Sequence, residues 1–180
     1  MRRVIFSCAM SLDGYIAGPN GEYDWIVMDP EFDFAAMNTR FDTFLFGRKT
    51  YEAMRQMGSD VRPAPGTRNI VFSRTLKPEE HPHVDITCRA RQAVEDLRAK
   101  PGKEILLFGG GDLFRSLLGE GLIDGVEAAV IPVLLGGGTP ILQSPAARTA
   151  LRLTKHRAYG KTGVVSLHYD VERPGSSMTF

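Results

Sequence analysis

Cysteine is nearly absent: Cys8 and Cys88 are the only two, and they stand far apart. That spacing excludes a disulfide framework and a local zinc motif, and it fits a reduced, cytoplasmic chain. An excess of one charge sign is lacking too. With 22 Lys and Arg against 21 Asp and Glu, the net charge is +1, so no global field draws the protein to nucleic acid or a membrane surface. Any anion site must therefore be local. No long apolar span occurs either; Met1-Arg-Arg-Val-Ile-Phe6 begins like a leader, but Ser11 and Asp13 cut the apolar stretch, and the segment reads as a first strand. Histidines come close together only at His81-Pro82-His83, with no third ligand nearby. A surface loop is expected there, and no metal.

What remains is 180 residues, 43% hydrophobic and 24% charged, enough for one domain that buries about 70% of its unfolded surface. That domain is expected over 1–172, with 173–180 a frayed tail. Val4 to Met10 is a compact apolar segment, expected as a strand near the sheet centre. Three glycines and a proline between Ser11 and Gly21 mark a long loop, a common carrier of function. Asp29-Pro30-Glu31 reads as a helix start, with Asp29 as N-cap and Phe34, Met37 and Phe41 on the apolar face.

Thr43 to Phe46, Asn69 to Phe72, Val84 to Thr87 and Ile105 to Phe108 read as further strands. Helices follow at Tyr51, Met54 and Met57, at Ala90, Ala93, Val94 and Leu97, and at Leu113, Phe114, Leu117 and Leu118. Val126 to Leu135 reads as a strand in which Pro132 implies an edge position or a bulge. Leu151–Tyr159 and Val164–Val171 flank Gly160-Lys-Thr-Gly163 as an antiparallel hairpin. The class is α/β with a mixed sheet.

Chemistry is suggested where strands end. Ile105-Leu-Leu-Phe108 runs straight into Gly109-Gly110-Gly111-Asp112-Leu113, a turn that can bring bare N–H groups to an anion or can simply be tight. The dinucleotide fingerprint is not met, because its sixth position is Phe114 and no acid follows at the ribose distance. Gly47-Arg48-Lys49-Thr50 and Ser73-Arg74 also follow apolar strands. In a mainly parallel sheet these three ends share one edge, where one extended dinucleotide fits.

The motifs Ser11-Leu-Asp-Gly-Tyr-Ile-Ala-Gly18, Phe46-Gly-Arg-Lys-Thr-Tyr51, Val71-Phe-Ser-Arg-Thr75, Phe108-Gly-Gly-Gly-Asp112, Leu122-Ile-Asp124 and Ile131-Pro-Val-Leu-Leu-Gly136 occur in that order. Together they resemble the dihydrofolate reductase-like family, and more closely its branch similar to the C-terminal reductase domain of bifunctional riboflavin-biosynthesis deaminase/reductases. The resemblance covers about residues 2–172. It implies a dihydrofolate reductase-like three-layer fold, with a mixed, mainly parallel central sheet and a C-terminal antiparallel hairpin. It also implies NADPH as cofactor and a homodimer. By this resemblance Gly47, Arg48, Lys49 and Thr50 hold cofactor phosphates, Ser73 and Arg74 the 2′-phosphate, and Gly109, Gly110, Gly111, Asp112 and Leu113 the pyrophosphate. Ala9, Met10 and Gly18 line the nicotinamide. Forked guanidinium groups at Arg48 and Arg74 agree with NADPH over NADH.

At the substrate end the resemblance to dihydrofolate reductases places Glu31 at the pterin-binding acid, where it either orients a substrate ring and helps proton delivery or merely suits a helix N-terminus. Asp13 either anchors its loop or faces the substrate. Trp25 walls the cleft or packs a loop, and Trp25 and Phe34 are the candidate substrate-binding residues. Riboflavin-pathway reductases usually carry Lys at Tyr15 and an acid at Gly125, so both departures count against a ribityl-phosphate substrate. The reading is an NADPH-dependent reductase of a small heteroaromatic or imine-like substrate, pterin- or flavin-precursor-like. Its alternatives are the riboflavin-pathway 5-amino-6-(5-phosphoribosylamino)uracil reductase and a catalytically silent NADP(H)-binding protein.

Overall fold

The computed structural model describes residues 1–58 and 61–173, apart from the side chains of Phe34, Met37 and Asn38. The tail expected from 173 onward therefore lies outside the described residues beyond Arg173. Among the described residues, ten strands and four α-helices follow in order: β1 Val4–Ser11, β2 Tyr15–Ala17, α1 Phe34–Arg40, β3 Phe41–Gly47, α2 Arg48–Gln56, β4 Arg68–Phe72, β5 Asp85–Thr87, α3 Ala90–Ala99, β6 Glu104–Leu107, α4 Gly111–Gly119, β7 Gly125–Ile131, β8 Thr139–Pro140, β9 Leu151–Ala158 and β10 Val165–Val171.

Eight strands form one sheet in the order β5-β4-β3-β6-β1-β7-β10-β9. The first six run parallel, and β10 and β9 close it antiparallel. β1 lies between β6 and β7, which explains its unbroken apolar sequence: Val4, Ile5 and Phe6 are at most 1% exposed. Its alternate residues face two different layers. Val4 and Phe6 join Leu45, Ile105, Leu107 and Val126 beneath α3 and α4. There Phe6 stacks on Phe114 with ring centroids 3.8 Å apart. On the opposite face Ile5 meets Phe41 and Leu106, and Phe46 and Val71 meet Tyr51 of α2.

Several sequence expectations need correction. The first helix starts at Phe34, not at Asp29: Asp33 caps it by accepting from the Ala36 N–H at 3.0 Å. Asp29 instead closes a turn, accepting from the Glu31 N–H at 2.9 Å and from the Thr162 hydroxyl at 2.8 Å. Phe41 belongs to β3, where it is buried. Met57 lies past the end of α2 and is 57% exposed, whereas Met54 packs in the core. Pro132 implies neither edge nor bulge, because β7 is interior and its pairing ends at Ile131. β2 pairs with β8 in a small ribbon of its own. Among the described residues, no helix is long and apolar enough to cross a membrane.

Candidate active site

Because β4, β3, β6 and β1 are parallel neighbours, the loops carrying Ser73-Arg74, Gly47-Arg48, the glycine run and Ser11 leave one edge side by side. Gly47 pairs with Phe72 in register, immediately before Ser73. The three strand ends read from sequence are thus brought together.

The middle of this edge is a backbone cradle. The Gly47 N–H donates to the Gly109 carbonyl at 3.3 Å. A Cβ on Gly110 would lie 3.3 Å from Gly47 Cα, and one on Gly109 would lie 3.2 Å from Thr50 Cγ2. Gly109 and Gly110 also adopt φ of +130° and +100°, where L side chains are strained. Glycine is thus required both by conformation and by approach. α2 and α4 begin on either side, at Gly47 and Gly110, neither with a side-chain N-cap. Their first-turn N–H groups and dipole ends are therefore left for an anion. Such a cradle fits the pyrophosphate of a dinucleotide.

The flanking side chains differ in what they offer. Arg48 is engaged by Glu52 one turn on, at 2.7 and 2.9 Å. Lys49 and Arg74 are exposed, and Arg74 has no ion pair among the described residues. The Ser73 hydroxyl accepts from the N–H groups of Thr75 and Leu76 at 3.1 and 3.0 Å, which fixes the turn that carries Arg74. Asp112 is exposed on the first turn of α4, while Leu113 packs against the core.

Farther along the edge, Ala9 and Met10 lie just before Ser11, the last residue of β1, opposite Ala129 and Val130 of β7. Ala9 and Ala129 meet Ile131, Tyr159 and Val164 together with Trp25 and Phe32. Trp25 is thus a packed loop residue in the wall beside Ala9, its indole N–H bound to the Glu22 carbonyl at 3.0 Å. Gly18 is held by the same carbonyl at 2.8 Å, and a Cβ there would collide with the Glu22 carboxylate at 2.4 Å.

Asp13 ties two loops together. Its carboxylate accepts from the Ser11 hydroxyl at 2.6 Å, the Gly136 N–H at 2.7 Å and the Leu135 N–H at 3.1 Å. The Ser11 hydrogen bond foremost, then those two amides, hold its pKa below the usual carboxylate value despite some desolvation. This is the anchoring arrangement of the two read from sequence. Glu31 is corrected in its placement: it lies outside any helix, and its carboxylate pairs with Arg157 at 2.7 Å, with 52% of the side chain exposed. Phe34 opens α1, and its side chain lies outside the described residues.

Sequence reasoning reads 136–140 as a loop but does not bring it to the site. Gly138 sits so close to β2 that a Cβ would be 2.1 Å from the Ala17 carbonyl, and Gly111 faces the Pro140 carbonyl and Gln143. The run Gly136-Gly-Gly-Thr-Pro140 carried that signal, since glycines in a loop mark close backbone approach. Gly125 is explained by packing: a Cβ there would lie 2.9 Å from Ile5 Cδ1 and 3.0 Å from the Tyr169 carbonyl. No acid fits at this position.

The family model described as RibD C-terminal domain matches residues 2–165. The chain belongs to this family. Over 179 residues it is 33% identical to the uncharacterized protein YyaP of Bacillus subtilis, covering 93% of this chain and 94% of that protein. A solved structure from Shewanella sp. PV-4, of a protein assigned to riboflavin biosynthesis, superposes with a TM-score of 0.80 at 27% identity, over 95% of this chain and 99% of that one. A dihydrofolate reductase from Enterococcus faecalis, complexed with NADP(H), shares the fold with a TM-score of 0.68 at 18% identity, over 95% and 97%. The RibD C-terminal family fold is therefore a dihydrofolate reductase-like one, with a mainly parallel sheet closed by antiparallel strands.

Proposed function

We propose that the protein is an NADPH-dependent reductase of a small heteroaromatic or imine-like substrate. One observation carries this reading: the uncapped starts of α2 and α4 meet at the Gly47–Gly110 contact, one strand away from Ser73-Arg74. Gly109, Gly110 and the first turn of α4 would hold the pyrophosphate, and Arg74 the 2′-phosphate, whose charge a guanidinium fork matches. That the Enterococcus faecalis reductase of the same fold binds NADP(H) supports it. When bound, NADPH supplies a hydride. The chain's own residues orient the nicotinamide against Ala9 and Met10, and the wall containing Trp25 and Phe32 excludes water, so rate enhancement comes largely from alignment.

For the substrate, a pterin- or flavin-precursor-like ring is the reading. A ribityl phosphate is disfavoured by half-buried Tyr15, which stands where riboflavin-pathway reductases usually carry Lys; Gly125, at the start of β7 opposite Ile5, lies away from the site edge. Calorimetry with NADPH and NADH, followed by cofactor oxidation with dihydropterins, flavins and aminouracils, tests the proposal. Binding of NADPH with consumption by at least one acceptor is expected. Absence of heat on adding NADPH overturns it, and binding without consumption by any acceptor would mark a silent NADP(H)-binding protein.

A further inference from the structure

Three side chains that the cofactor cradle does not use form a hydrogen-bonded chain across β7 and β10. The Ser166 hydroxyl lies 3.0 Å from His168 Nε2. His168 Nδ1 lies 3.1 Å from a Glu127 carboxylate oxygen, and Arg40 NH1 holds that oxygen at 2.6 Å. His168 meets solvent more than its partner: the imidazole side chain is 26% exposed, whereas Ser166 is buried. A proton entering from solvent at the imidazole is thus led inward.

Register puts the inner end where the reaction would occur. Ser166 pairs with Ala129, which pairs with Ala9, and residues paired in register share a sheet face. Two strand spacings separate Ser166 from Ala9, about 10 Å, with Ala129 between them on the same face. Opposite His168 the pairing of β9 slips in a bulge, and the Thr154 hydroxyl donates to the His168 carbonyl at 3.0 Å. Bulges of this kind re-aim side chains and recur beside active sites.

We propose that Ser166, supplied by His168, is the proton donor for the reduction, with Glu127 and Arg40 as positioning residues. This rests on the reductase reading. The electrons arrive as hydride on the carbon of a C=N bond, and NADPH becomes NADP⁺. The Ser166 O–H proton goes to the nitrogen, the Nε2 proton of the imidazolium goes to Ser166, and the neutral imidazole regains a proton from solvent. Glu127 stays ionised throughout. Burial alone would raise its pKa, but the hydrogen bonds and charges of His168 and Arg40 hold it below the ordinary value. Other ionisable groups facing this row are Glu104, which pairs with Arg40, Lys155, opposite His168, Arg157, opposite Ser166, and Asp170, two residues along β10.

The test measures NADPH oxidation with the dihydropterin, flavin and aminouracil panel as a function of pH, alongside NADPH affinity, in Ser166→Ala, Ser166→Thr and His168→Gln. General acid catalysis is worth about 10²–10⁴-fold. Ser166→Ala and His168→Gln should each lower kcat by about 100-fold or more, with NADPH Kd nearly unchanged. Ser166→Thr, which keeps the hydroxyl, should recover a large part of the rate. If His168→Gln fails to fold, the Ala and Thr pair at Ser166 decides. Unchanged kcat in these variants overturns the relay and leaves the reductase reading standing. No consumption of NADPH by the wild type with any acceptor overturns both.

Discussion

The backbone N–H of Gly47 donates to the carbonyl of Gly109 across 3.3 Å, so the loops leaving β3 and β6 touch where two helices begin. At Gly110, beside them, a Cβ would press on Gly47 Cα at 3.3 Å, and the backbone adopts φ of +100°. Gly110→Ala should therefore cost about 1–3 kcal/mol of stability through backbone strain, and it should weaken NADPH binding by pushing the loops apart. Chemical denaturation and calorimetry on the same variant check this; wild-type affinity would show that the contact does not shape the cradle.

Arg74 follows β4 on the turn fixed by the Ser73 hydroxyl and is exposed without an ion pair among the described residues. A charge-assisted hydrogen bond is worth about 1.5–3 kcal/mol. Arg74→Ala is expected to weaken NADPH by about 10–100-fold while leaving NADH nearly unchanged, as read by paired titrations. Arg48→Ala should have a smaller effect on this selectivity, because Glu52 already neutralises that guanidinium. Equal losses of NADPH and NADH on Arg74→Ala would remove the 2′-phosphate assignment.

The cradle was legible because its residues are local. A strand, a glycine and a helix start occupy consecutive positions, so Gly47 and Gly109–Gly111 can be found without knowing the fold. The first helix was misplaced because Asp29 and Asp33 are equally plausible caps in sequence. What distinguishes them is tertiary: Thr162, on the distant hairpin turn, takes Asp29 for itself. Pro132 was misread for a related reason, since a proline one residue beyond the last pair leaves no ladder hydrogen bond missing. The row Glu127–His168–Ser166 was illegible because strand register alone joins it, and no spacing within β10 announces a partner on β7.

The Asp13 carboxylate has a lowered pKa, first through the Ser11 hydroxyl and then through the amides of Gly136 and Leu135. A carboxyl group with a depressed folded-state pKa stabilises above its unfolded value, about 3.9, and that contribution is lost as pH falls through the folded value. Asp13→Asn should accordingly lower Tm at neutral pH. The gap from wild type should close as the pH drops through the carboxylate range. Thermal melts across that range check it; a constant gap would mean that ionisation of Asp13 contributes nothing to joining the two loops.

Glu31 and Arg157 pair at 2.7 Å with about half of each side chain exposed. Surface pairs of this kind contribute about 0–1 kcal/mol, so Glu31→Gln should barely move Tm. Its effect on turnover separates two accounts of the proton. Were Glu31 the donor, its loss should cost about 10²–10⁴-fold in kcat. Because its carboxylate is directed at Arg157 on the rim, the expected change is only a few-fold, with any loss falling on substrate KM as Arg157 is released. Steady-state kinetics of Glu31→Gln beside Ser166→Ala make the comparison directly. A collapse of kcat in Glu31→Gln with little change in Ser166→Ala would move the proton source from the floor of the cleft to its rim.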